Sequence, residues 1–254
     1  MPSALYEIRG LIKRYGRRLV LDQLDFDIHR GECLVILGRS GSGKSVLLRQ
    51  LNGLEKADGG TVVFDGTDLT GLEERELFPI RRRIAMLFQS GALFDSMNVR
   101  ENVAFPLREI VRPRLPEQEL REKVRHKLDL VGLKDVETKM PSDLSGGMRK
   151  RVALARSLAL DPEVVLFDEP TTGLDPITSA TIGKLINSIR EGTGFTSAVV
   201  THDLALARRI GTRVALLVDG RFCFIGDWQE AERSQDPTLA HFLAGREEEE
   251  ENVA

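Results

Sequence analysis

The chain has 254 residues, 41% of them hydrophobic and 6% aromatic, with a formal net charge of −3. That length suits one large α/β domain or two small ones, and the apolar share is enough for a sizeable core. The near-neutral balance excludes a global basic field for nucleic acid, and no apolar run reaches the roughly 18 residues that a spanning helix needs.

The amino terminus, "MPSALYEIRG", lacks the basic and apolar regions of a signal peptide, so a cytosolic chain is expected, reaching a membrane only through a partner. "YEIRGLIKRYG" and "LVLDQLDFDIHRG" alternate apolar and polar residues and predict short antiparallel strands. "ECLVIL" predicts a buried strand, and "VLLRQLNG" has helical spacing, with a helix start near Ser42. "TVVFDGTDL" predicts a further strand with Asp65-Gly66 as its turn, and "RRRIAMLFQ" another, entered from a basic segment. Residues 98–132 change character, and "EQELREKVRHKLDLVGL" predicts a helical insertion between two halves of an α/β core. After it, "SGGMRKRVALARSLAL" predicts a helix, "EVVLF" a buried strand, "ITSATIGKLINSIREG" a helix, "TSAVVTHD" a strand and "LALARRIG" a helix. "RVALLVDGRFCFIGD" predicts a hairpin around Asp219-Gly220. Alternating strands and helices imply a mainly parallel sheet covered on both faces. Cys33 and Cys223 lie in apolar runs without metal or redox spacing, so both are expected to be buried as small hydrophobes in a reducing compartment. The closing "REEEEENVA" is a run of like charge, expected to be a solubilising disordered tail over 247–254.

Chemistry concentrates in four places. "GRSGSGKS", residues 38–45, follows a strand and precedes a helix, the context that gives GxxxxGK[ST] its meaning. Gly38, Gly41 and Gly43, with Arg39, Ser40 and Ser42 between them, let backbone amides turn inward around anionic oxygens. Lys44 suits the β- and γ-phosphates, the Ser45 hydroxyl suits Mg²⁺, and the helix adds its positive end. "VVLFDEP" ends a strand in Asp168 and Glu169, where Asp168 suits Mg²⁺ and Glu169 suits activation of the attacking water. His202 follows the strand "TSAVV" and should emerge at the same sheet edge, where it could hydrogen-bond the γ-phosphate and hold the attacking water. "LSGGM", residues 144–148, offers a second anion nest before a second helix, and one nucleotide has no use for two γ-phosphate cradles unless they come from different subunits.

Over essentially its whole length the chain resembles the ABC transporter ATPase family, with seven motifs in the family's order. These are Tyr15 in "KRYG", the phosphate loop, Gln89 in "LFQ", "LSGGM", "LFDEP", Asp175 in "GLD" and His202. The resemblance implies an α/β P-loop NTPase core of ABC ATPase type over 1–246, with an antiparallel β subdomain and a helical subdomain at about 90–160. It implies that Tyr15 stacks on adenine and that Gln89 bridges Mg²⁺ or its water to the helical insertion. It further implies a head-to-tail homodimer in which Gly38–Ser45 of one chain faces Ser145, Gly146 and Gly147 of the other across ATP. Met148 departs from the glutamine common in the family, which leaves the amides and Ser145 but removes any side-chain bond from that position.

"SGALFDSMNV" places Leu93, Phe94, Met97 and Val99 just beyond Gln89, where family members receive a short helix of the membrane-embedded permease; Val103 and Phe105 are expected in the core. With "LSGGM" and "DPITS", this wording resembles the ATPase subunits of Mla-type phospholipid transporters. That implies a peripheral subunit on the cytoplasmic face of the inner membrane, with an integral permease and accessory lipid-binding subunits. The alternative is the ATPase of a small-solute importer, from which residues 90–109 distinguish it. A soluble ABC ATPase acting on DNA or ribosomes would carry two nucleotide domains, long coiled coils or a basic face, and the sequence has none of these.

Overall fold

Two patterns of apolar residues build two sheets. In the computed structural model, which describes residues 3–245, alternation places β1 (Ala4–Tyr15) and β2 (Arg18–His29) in an antiparallel pair. The five-residue apolar run of β3 (Cys33–Leu37) is buried throughout. After α1 (Lys44–Leu51), β4 (Gly59–Phe64) and β5 (Thr67–Asp68) close the first sheet in the order β2-β1-β4-β5. Asp65 and Gly66, both at positive φ, form the turn between β4 and β5.

The second sheet is the larger. It adds β6 (Ile84–Leu87), β7 (Val164–Asp168), β8 (Thr196–Thr201), β9 (Arg213–Val218) and β10 (Arg221–Gly226) in the order β10-β9-β3-β8-β7-β6. All neighbours are parallel except β9 and β10, the hairpin around Asp219-Gly220. α2 (Glu74–Arg81) precedes β6, and between β6 and β7 lie α3 (Val99–Ile110), α4 (Glu117–Leu130) and α5 (Gly146–Ser157). α6 (Pro176–Thr193), α7 (Leu204–Ile210), α8 (Trp228–Arg233) and α9 (Pro237–Leu243) complete the elements.

Residues of β3 show how the sheet divides the core. Cys33, Val35 and Leu37 join an apolar cluster with α3 to α7, while Leu34 and Ile36 join another with α1 and the antiparallel sheet. Period-two alternation thus serves two cores at once, each fully buried aliphatic side chain contributing about 1.5–3 kcal/mol. Register then positions the chemistry. Leu37 pairs with Thr201, and Asp168 with Val200, so the segments starting at Gly38, Glu169 and His202 leave the sheet at one level. Leu87 pairs with Phe167, which brings Gln89 to the same edge.

Several expectations need correction. α1 starts at Lys44, two residues later than Ser42, because Gly43 takes φ 103° at the cap, a conformation closed to a helical residue. Cys33 is buried, but Cys223 is exposed: β10 is an edge strand and its register slips between Phe222 and Phe224, leaving Cys223 as the extra residue of a bulge. Val99 is fully buried in the core, so it cannot belong to a docking patch, and Phe105 is only half-buried, its ring 4.7 Å from that of Phe94. The short helices α2, α8 and α9, of 8, 6 and 7 residues, go beyond the elements that the sequence predicts; α2 also carries Pro79 within it. The acidic tail falls outside the described residues.

Candidate active site

A cleft of about 1200 Å³ opens along the shared sheet edge. Tyr15, Gly38, Arg39, Ser40, Gly41, Gly43, Lys44, Ser45, Gln89, Glu169 and His202 all line it. Two of the glycines are sterically required there. A Cβ at Gly38 would stand 2.4 Å from the Leu217 carbonyl oxygen, and one at Gly43 would meet the Val20 carbonyl oxygen at 2.9 Å. Ser42 does not line this cleft: its hydroxyl oxygen is buried, and a Cβ on Gly38 would lie 2.7 Å from it.

Lys44 is buried, and its amine donates to the carbonyls of Gly38 and Arg39 at 2.8 and 2.7 Å, holding the loop around itself. Burial lowers its pKa, an effect that the nearby Glu169 and Asp168 charges oppose. The Ser45 hydroxyl donates to Asp168 at 2.8 Å, joining the phosphate loop to the end of β7. Burial raises the Asp168 pKa, with the Ser45 bond pulling the other way. A hydroxyl and a carboxylate oxygen meeting at one point form a hard-donor pair that fits Mg²⁺, which takes few protein ligands and completes its shell with water and phosphate oxygens. Among the described residues no group of three or more His, Cys, Asp or Glu is arranged to hold a metal by itself.

Glu169 is buried at φ 48°, in left-handed backbone that a non-glycine residue adopts at a cost. Its carboxylate lies 3.0 Å from His202 Nδ1 and accepts from Thr172 and Thr201 hydroxyls at 3.2 and 3.3 Å. A carboxylate so held is oriented before any ligand arrives. The two threonines were missed in the sequence, although each neighbours a motif residue, Thr201 in "VVTHD" and Thr172 in "DEPTTGLD". Phe242 and Gly245, at the end of α9, also line the cleft and carried no sequence signal. Tyr15 is 46% exposed at the rim, with its hydroxyl bonded to Glu55. The Gln89 side chain is exposed in the cleft, while its backbone carbonyl accepts from Lys150.

Ser145, Gly146, Gly147 and Asp175 do not line this cleft. They gather elsewhere, on the surface. Ser145 caps α5 by accepting from the Met148 amide at 3.3 Å, and Asp175 caps α6 by accepting from the Ile177 and Thr178 amides, each at 3.0 Å. A Cβ at Gly147 would stand 2.7 Å from the Thr178 methyl, so the two caps sit side by side. The Met148 side chain packs against the core, which accounts for an apolar residue at that position.

A parallel sheet with a phosphate-binding loop, a hard-donor pair and a buried carboxylate at one edge defines a nucleoside-triphosphate hydrolase of the P-loop type. The sequence profile of the ABC transporter family matches residues 21–172, and the chain belongs to that family. It is 41% identical over 245 residues to the intermembrane phospholipid transport system ATP-binding protein MlaF of Haemophilus influenzae, spanning 96% of this chain and 92% of that protein. It is 42% identical over 247 residues to the probable ribonucleotide transport ATP-binding protein mkl of Mycobacterium leprae, spanning 97% of this chain and 71% of that one. Among solved structures, the dimeric ATP-binding cassette MJ0796 in a post-hydrolysis state with ADP and phosphate superposes with a TM-score of 0.81, at 34% identity, covering 87% of this chain and 98% of that one. The chain is an ATPase of the ABC type. No helix among the described residues is long and apolar enough to cross a membrane.

Proposed function

We propose that the chain is the ATP-hydrolysing subunit of a transporter that moves phospholipid between the inner and outer membranes, working as a homodimer on the cytoplasmic face of the inner membrane. The observation that carries this reading is the 41% identity to a phospholipid-transport ATPase, sustained over 96% of the chain and 92% of the relative. Phe94 supports a membrane-embedded partner: it is exposed five residues after the Gln89 carbonyl anchor, on a loop pinned by the buried Asn102 amide, which donates to the Phe94 and Met97 carbonyls at 3.1 and 2.9 Å. Accessory lipid-binding subunits belong to the same reading.

In this reading ATP lies in the cleft, its adenine on Tyr15 and its phosphates in the amides of Gly38–Ser45, with Lys44 on the β- and γ-phosphates. Mg²⁺, held by Ser45 and Asp168 with Gln89 nearby, supplies charge neutralisation of the phosphates. Glu169 orients the attacking water and accepts its proton, and His202, already hydrogen-bonded to Glu169, contacts the γ-phosphate. Ser145, Gly146 and Gly147 of a second copy close the far side, with Asp175 beside them, so the dimer shuts on ATP and opens after hydrolysis.

A second reading, a small-solute importer, has its own observation, the 42% identity to a protein named for ribonucleotide transport. Purifying the chain with its membrane partners separates the two. We expect a permease carrying phospholipid by mass spectrometry, and ATP turnover that rises when lipid-loaded partners are supplied. A complex without lipid, stimulated by a ribonucleotide or another solute, would overturn the cargo and leave the ATPase intact.

A further inference from the structure

Helix α5 holds more of the site than its first turn. Lys150, one turn into the helix, is 8% exposed, yet it carries an ammonium group into the protein. That group donates to the backbone carbonyl of Gln89 and, at 3.4 Å, to that of Glu169. A buried amine directed at two carbonyls, with carboxylates close by, is a costly arrangement unless the bonds are made. Burial lowers the Lys150 pKa, while Asp168 and Glu169 oppose that shift.

The two carbonyls are not ordinary ones. Gln89 begins the loop that continues through Gly91 and Ala92, both at positive φ, and whose carbonyls at 91 and 92 accept from Arg156, further along α5, at 2.8 Å each. Glu169 is itself in left-handed backbone, so the direction of its carboxylate depends on how its peptide group is held. β6 and β7 fix where these two residues leave the sheet, but α5, through Lys150, fixes the carbonyls beyond the strand ends.

We propose that Lys150 is a positioning residue for ATP hydrolysis: its ammonium ties the backbones of Gln89 and Glu169 to α5. The helix whose first turn faces the partner's nucleotide thereby also sets the two side chains that act on its own. This rests on the site reading above, in which Glu169 and Gln89 serve the attacking water. Nucleotide binding depends on Gly38–Ser45 and Tyr15, which Lys150 does not touch. A displaced Glu169 lowers turnover without weakening ATP binding.

The test uses the full chain with Lys150→Met, which keeps the length and removes the donors, and Lys150→Gln, which keeps a shorter neutral donor. Turnover and binding of a fluorescent ATP analogue are read on folded protein, checked by circular dichroism and thermal melting. We expect kcat to fall about 10–100-fold in Lys150→Met with the analogue's Kd within about twofold, and the glutamine variant to lie between it and the parent. A folded Lys150→Met chain with parental kcat overturns the proposal, as does a loss in which Kd and kcat move together. If the methionine variant does not fold, Lys150→Gln carries the test, because its shorter amide cannot span both carbonyls; parental turnover there overturns the proposal. Glu169→Gln, measured alongside, separates the two claims. Parental turnover in that variant removes the site reading itself, whereas slow Glu169→Gln with normal Lys150→Met removes only the role of Lys150.

Discussion

The edge of the parallel sheet and the paired caps of α5 and α6 are both built for anions, yet the chain treats them in opposite ways. At the sheet edge, Lys44, Asp168 and Glu169 are buried and hydrogen-bonded, Lys44 to the carbonyls of its own loop, Asp168 to Ser45, and Glu169 to Thr172 and Thr201. At the caps, Ser145 is exposed, and Ile177, two residues after Asp175, is 81% exposed. The first region is organised before any ligand arrives. The second presents glycine amides and an apolar side chain outward, an arrangement that makes sense when another surface covers it. In the proposed reading one chain carries one finished half-site and one half-site facing away, and the two should behave differently when each is damaged.

The largest effects belong to the buried half. Lys44→Ala removes the charge that the loop wraps and should lower ATP turnover by about 10²–10³-fold or more, with weakened nucleotide binding. Glu169→Gln keeps the shape and the Asp168–Ser45 pair while losing the carboxylate, so turnover should fall about 10²–10⁴-fold with ATP retained and the dimer held closed on gel filtration. Parental turnover in either variant would break the assignment of this cleft as the ATP site.

Ser145→Arg damages the outward half. In a dimer of identical chains it should abolish turnover as fully as Lys44→Ala, while ATP binding by the isolated chain stays intact, because Ser145 lies outside the cleft. A mixed dimer of Ser145→Arg and Lys44→Ala chains places both lesions at one shared site and leaves the other site whole. Its turnover should exceed that of either pure mutant dimer. Equal turnover in all three would mean that the caps do not complete a partner's site, or that the two sites fire only together.

These two regions also differ in how legible they are. Gly38–Ser45, Asp168, Glu169 and His202 are readable because each lies at or just past the end of a strand with an apolar centre, and parallel register brings strand ends level whatever lies between. Side chains that hold the motif residues in place are harder to read. Thr172, Thr201 and Lys150 act through bonds to residues 3, 32 and 19 positions away, and no local periodicity announces such a pairing. Cys223 and Val99 failed for the opposite reason. Cys223 sits in an apolar run but falls at a bulge, whereas Val99 stands between Asn98 and Arg100 yet faces the core from the first turn of α3, and local hydropathy gives neither outcome.

A smaller effect is expected on the loop between Gln89 and α3. Leu93 packs against the main core, whereas Phe94 is 39% exposed, its ring against Phe105 and beneath the Arg156 guanidinium. Phe94→Asp should leave folding and ATP binding of the isolated chain near parental while weakening assembly with the permease, since an unpaired carboxylate in an apolar contact costs several kcal/mol. Leu93→Asp should lower the melting temperature instead. A Phe94→Asp chain that assembles normally would remove this surface from the coupling path.

Tyr15 gives the smallest effect and the finest test of the finished half-site. It ends β1, in the antiparallel sheet rather than the parallel one, and stands exposed at the cleft rim with the Lys13 ammonium 5.5 Å from its ring centre. If its ring stacks on adenine, Tyr15→Ala should weaken ATP binding by about 1–3 kcal/mol, a value taken from base stacking on aromatic side chains. Unlike the loss at Lys44, this one falls on binding alone, because stacking contributes equally before and during hydrolysis and so leaves kcat nearly unchanged. Tyr15→Phe should bind ATP like the parent, since the hydroxyl is turned toward Glu55 and helps only to orient the ring. Titration of both variants with a fluorescent ATP analogue decides the point. A Tyr15→Ala chain with parental affinity would leave the phosphates as the sole anchor of the nucleotide, whereas a Tyr15→Phe chain as weak as Tyr15→Ala would mean that the hydroxyl, not the ring face, makes the contact.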